Sequence, residues 1–170
     1  MNSTLVTLFE YKAWADAELL AALASFDAAK QPAQFAAMLQ TLDHAHIVDR
    51  IFQGHLSGNT ATPFTAPQSA QQPGLAPLRE DINACDHWYL QFVHALPADE
   101  LAQPLQFSFT DGQHGTMTRE EMLLHVITHS GYHRGSIGQM LEDCGSESPP
   151  DSLTKFLHQH QPERRLHRPR

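Results

Sequence analysis

The sequence predicts an all-α protein: a four-helix bundle with one long crossover and a small β-hairpin inserted before the fourth helix. Three observations predict it. Apolar residues recur at three- and four-residue steps through four long segments, as in helices buried on one side. Proline and glycine punctuate the gaps between those segments. The apolar–polar alternation of a strand appears in one short stretch only. The chain has 170 residues, 41% of them hydrophobic, which suits one core. Residues 1–160 are expected to form a single domain, and residues 161–170 a basic tail.

The first helix is expected over about residues 4–24, where Leu5, Leu8, Phe9, Ala15, Leu19, Ala22 and Leu23 share a face. Ser3 or Thr4 can cap its start. Pro32 interrupts the chain, and a second helix is expected from Ala33 to Leu56, closed by Gly58. Residues 57–77, rich in Ser, Thr, Pro, Gln and Ala, form a long connection. A third helix should follow Pro77 and run to about Leu96, where Pro97 stops it. Leu105, Phe107 and Phe109 then alternate with polar residues, and Asp111-Gly112 signals a hairpin turn. Thr118 with Glu121 is a capping box, and Gly145 is a natural stop, so the fourth helix is expected over about 118–144. Pro149-Pro150 breaks the chain before a short fifth helix at 151–160.

Composition excludes several functions. The net charge is −8, and Arg164, Arg165, Arg168 and Arg170 all lie in the tail, which leaves the body at −11. An acidic body of this kind argues against nucleic-acid binding. No apolar run is long enough to span a membrane, and no secretory leader is visible, so a cytoplasmic protein is expected. Cys85 and Cys144 make no disulfide framework.

Twelve histidines stand out from this background. Three of them, His125, His129 and His133, follow one another at steps of four on the fourth helix. Each step turns about 40° and rises about 6 Å, so neighbours in the series can bind one ion. His125 and His133 lie about 12 Å apart along the axis, too far to share it. The helix therefore offers one pair, 125/129 or 129/133. A surface stripe and a pH-sensing or haem role are the competing readings. Zinc-like ions want at least three protein ligands. On the second helix His44 lies on the inward stripe with Thr41, Val48 and Ile51, which makes it the best third ligand, with His46 second. There is no His-Glu-x-x-His of a zincin and no repeated Glu-x-x-His of a di-iron bundle. Arg134, one position beyond His133, is expected to pair with an acid such as Asp49 or one on the first helix. Gly131, Gly135 and Gly138 form a small-residue stripe suited to close helix contact. Tyr11, Trp14 and Tyr132 are expected as core or pocket wall.

These residues resemble a known family, the DinB/YfiT-like metalloenzymes. Four pieces carry the resemblance: Leu8-Phe9-Glu10-Tyr11-Lys12-Ala13-Trp14-Ala15, Thr41-Leu42-Asp43-His44 with Val48-Asp49-Arg50-Ile51-Phe52, Phe109 to Met117, and His125, His129, His133 closed by Arg134-Gly135. The resemblance implies a DinB-type four-helix bundle, often a homodimer. It implies one divalent ion per chain, nickel or zinc, held by His44, His129 and His133, with His125 beside them. It also implies metal-dependent hydrolysis or thiol transfer on a small molecule, the partner in some branches being a low-molecular-weight thiol. The alternative is a metal-binding or dimerising bundle without turnover.

Overall fold

A computed structural model describes residues 3–58, 66, 69, 71, 73–110 and 112–165. It is mostly helical. Four long helices, α1 (Ser3–Ser25), α2 (Pro32–Leu56), α3 (Leu75–Ala95) and α4 (Arg119–Asp143), carry one antiparallel hairpin between α3 and α4 and are followed by a short α5 (Leu153–His160). None of the described helices is long and apolar enough to cross a membrane.

The boundaries follow local chemistry. Pro32 opens α2, where a missing N–H costs nothing. Thr118 and Glu121 cap α4 reciprocally: the Glu121 N–H donates to Thr118 Oγ1 at 3.2 Å, and the Thr118 N–H to Glu121 Oε2 at 2.7 Å. α1 begins at Ser3, so Ser3 and Thr4 both lie within the helix. α3 begins two residues before Pro77, which sits in its first turn. The hairpin pairs β1 (Pro104–Ser108) with β2 (His114–Thr118), setting Leu105 opposite Met117 and Phe107 opposite Gly115. Asp111, half of the expected turn signal, lies outside the described residues, as does most of the 57–77 connection. One piece of that connection is tied down, since Ser69 donates from its N–H and its hydroxyl to the Asp43 carboxylate on α2.

α1 packs on α3 and α4, and α2 packs on α4 and α3. Their core has two apolar halves. One holds Phe9, Phe52, Tyr89, Met122 and Val126. The other holds Leu19, Met38, Leu42, Ile82 and Ile137. Between them lie charged side chains. Lys12 Nζ sits 2.8 Å from Asp16, 2.9 Å from Asp49 and 2.6 Å from Asp86. Arg134 donates to Asp16 at 3.0 Å, and Ser130 donates to Asp49 at 3.0 Å. Each long helix contributes to this layer from the middle of its buried stripe.

Candidate metal centre

α2 and α4 pack along their lengths and bring three histidines from the two helices together. His44, His129 and His133 each offer a ring nitrogen, and these nitrogens all lie within 4.8 Å of one another. Ring centroids are 5.2 Å apart for His44 and His129, 4.7 Å for His44 and His133, and 4.5 Å for His129 and His133. All three are half-buried.

The donor set fits a divalent ion. The Nε2 atoms of His129 and His133 are 3.2 Å apart. Two nitrogens bound to one tetrahedral ion at about 2.05 Å would stand about 3.3 Å apart. Burial, with the neighbouring histidines adding to it, pushes His129 down to about 4. Burial, then His44, lowers His133 as well. Both rings are thus neutral near pH 7 and keep the lone pair a metal needs. His129 Nδ1 is buried with no hydrogen-bond partner among the described residues, so packing orients this ring. His125 stacks on it at 5.3 Å and touches Phe52 at 4.6 Å.

The structure separates the other candidates from this group. His125 is a neighbour of the three. His46 is two positions from His44, about 200° around the helix. It is 7% exposed and faces a cavity of about 10 Å³ shared with Asp16, Asp49, Ser130 and Arg134. Burial, helped by Arg50, pushes it down to about 4. Arg134 pairs with Asp16 on α1 and with Asp151, 2.8 Å away, instead of Asp49. Tyr11 also donates to Asp151. Tyr132 is corrected: at 72% exposure it is neither core nor pocket wall, because it projects from the far side of α4. Within the chain, the glycine stripe does not make a helix–helix contact along its length. A Cβ at Gly138 would meet Ser148 of the following segment at 2.6 Å, whereas one at Gly135 would meet nothing within 4 Å. Burial pushes the Cys85 thiol up, and it is a core residue.

The buried ion layer and the cavity beside His129 escaped the sequence reading, and both left a signal in it. Leu5, Phe9, Lys12, Asp16, Leu19 and Leu23 form one helical stripe, so two charges sat on a core face. His44, Val48, Ile51 and His55 form another, and His55 continues the line of the proposed ligand. Beside His129 that stripe walls a cavity of about 330 Å³ beneath the hairpin.

Comparison with known proteins agrees with the geometry. The model of the DinB family matches residues 1–165. The curated protein DinB of Bacillus subtilis (strain 168) is 25% identical over 166 residues, which cover 92% of this chain and 95% of that protein. No solved structure gives a significant match.

Proposed function

Because the chain belongs to the DinB family, we propose that it binds one divalent ion through His44, His129 and His133 and uses it on a small molecule, by metal-dependent hydrolysis or thiol transfer. The observation that carries this reading is the meeting of three imidazoles, one from α2 and two from α4, with nitrogens within 4.8 Å. We further propose that residues 1–160 form one DinB-type four-helix bundle, with 161–170 a basic tail. The circuit of contacts α1–α3–α2–α4 supports this.

Three neutral imidazoles leave an ion its full charge, and such an ion lowers the pKa of a bound water or thiol and polarises an electrophile. The chain supplies the placement. His129 and His133 stay one turn apart because α4 is regular from its capped start. His44 stays opposite them because Ser130 on α4 donates to Asp49 on α2. Arg134, beside His133 in sequence, is pinned by Asp16 and Asp151 and so is turned away from the three rings. His125 stacks on one side of His129, and Phe52 backs His125.

The test uses untagged protein purified without chelating resin. Metal analysis should find about one nickel or zinc per chain, and His44→Ala or His129→Ala should lose it. At zinc about 100-fold above its Kd the wild type gains about 2.7 kcal/mol, a rise of roughly 5–10 °C in Tm. Sub-stoichiometric metal that is unchanged in both variants would refute the site. Metal-dependent turnover of simple esters or of low-molecular-weight thiols with electrophiles then separates an enzyme from a non-catalytic metal binder.

A further inference from the structure

The row of rings does not stop at the three histidines. From His129 it runs through His125 and Phe52 to His55, then to Phe107 and Phe109 of the hairpin, with neighbouring centroids 4.6 to 6.2 Å apart. These rings wall the cavity of about 330 Å³, completed by Val48, Ile51 and Met117. The hairpin is shaped to make it. Phe107 and Phe109 lie across Gly115, where any Cβ would stand 2.9 Å from one ring and 3.1 Å from the other. Phe109 is 53% exposed, so the cavity reaches solvent at the hairpin end.

One wall is chemically unfinished. His55 is 4% exposed, yet neither ring nitrogen makes a full hydrogen bond among the described residues. Burial lowers its pKa, and the Ser108 backbone, close enough to favour the ring N–H, opposes this. With the N–H turned to the Ser108 backbone, a neutral imidazole still presents one lone pair that no described residue meets, in a largely apolar cavity. Folded proteins keep few such groups, because each forfeits its bonds to water. No Lys, Arg, Asp or Glu lines the cavity among the described residues.

We infer that this cavity is the substrate pocket of the metal centre, and that it takes an uncharged aromatic molecule of one or two rings bearing one hydrogen-bonding group, which pairs with His55. Flat apolar walls favour a stacked ring. The volume lies at the small end of ligand pockets, and a few polar groups in a mostly apolar site, here His55 with Ser108, Thr110 and the two histidines of α4, are how such pockets orient a ligand. The cavity touches the proposed metal ligands through His129, so a ring held at His55 leaves its other end facing the three histidines. Its role as a substrate pocket rests on the metal reading above; its binding does not.

The test titrates the full chain with p-cresol and with toluene, which differ only in the hydroxyl. Calorimetry and the His55 imidazole NMR signals follow binding, first in chelator-treated protein and then in zinc-loaded protein. The wild type should bind p-cresol about tenfold tighter than toluene, as a site built to hydrogen-bond a hydroxyl does. In His55→Phe the preference should fall below about threefold while toluene still binds. His55→Gln, which keeps hydrogen-bonding atoms, should restore part of it. Met117→Trp should fill the cavity and weaken both ligands, with circular dichroism confirming the fold of every variant. No saturable p-cresol binding, or an unchanged preference in His55→Phe, overturns the pocket. A p-cresol preference that survives in His44→Ala supports the pocket even if that variant has lost its metal. Stoichiometric metal without p-cresol binding overturns the pocket and leaves the metal centre standing.

Discussion

Replacing Lys12 by methionine removes the cation at the middle of the core and keeps most of its stem. Its Nζ contacts Asp16, Asp49 and Asp86 at 2.8, 2.9 and 2.6 Å. At an effective dielectric constant of ~20 each contact is worth roughly 6 kcal/mol of attraction, most of it cancelled by desolvation of the ions. Once the cation is gone, Asp16 keeps Arg134, Asp49 keeps Ser130, and Asp86 keeps neither. Burial already pushes Asp49 and Asp86 up, with Lys12 pulling the other way. Without Lys12 one more carboxylate must be held protonated. Asp86 already stands at about 7 beside Lys12, so the additional proton falls on Asp49; counted from an ordinary pKa of about 3.9, holding that carboxylate protonated costs about 5 kcal/mol at pH 7.5 and about 2 kcal/mol at pH 5.5. An acid whose pKa is raised on folding keeps its full stability below its unfolded pKa and loses it as pH rises. The expected destabilisation is thus about 3–5 kcal/mol at pH 7.5, shrinking to about 2 kcal/mol at pH 5.5. Urea unfolding followed by circular dichroism at both pH values measures it. Adding Asp86→Asn to Lys12→Met should recover at least about 1 kcal/mol. A loss below about 1 kcal/mol at pH 7.5, or an equal loss at both pH values, would refute the linked network.

His46, held neutral by burial down to about pH 4 against an ordinary 6.5, lowers stability as pH falls through that window. His46→Gln should shrink the loss between pH 7.5 and pH 5 by about 2 kcal/mol, read from urea midpoints. Thr118→Ala removes the cap of the helix that carries His129 and His133, and should cost about 1 kcal/mol in the same assay. Gly135 is exposed and has free space around it, so Gly135→Ala should raise stability by about 0.5–1 kcal/mol in calorimetry. A loss there would mean that another surface packs against this turn of α4.

Much of the fold was legible in sequence order. Gly58 and Gly145 mark helix ends, and Pro32 and Thr118 with Glu121 mark starts, because the local backbone demands those residues. The period of Leu78, Ile82, Cys85 and Tyr89 is as plain in the sequence as in the buried face of α3. Where local rules stop, the reading stopped too. Tyr132 looked like a wall residue, but which side of α4 faces outward depends on its neighbours. Gly138 looked like a helix contact, but the returning segment at Ser148 fills the space.

The candidate site divides along the same line. Helical geometry alone limits the three histidines of α4 to one adjacent pair, since a rise of about 1.5 Å per residue keeps His125 and His133 apart. That constraint lies inside one element, so the sequence carries it. Which histidine of α2 meets the pair is a matter of how two helices turn against each other. His44 and His46 differ by about 200° of rotation, and the packing of α2 on α4 puts the first beside His129 and His133 and the second in the charged layer. The pairing of Lys12 with Asp49 and Asp86, and the cavity between His55 and the hairpin, join residues dozens of positions apart. No local period records such a meeting, because it is decided by the register in which four helices and a hairpin close over one core.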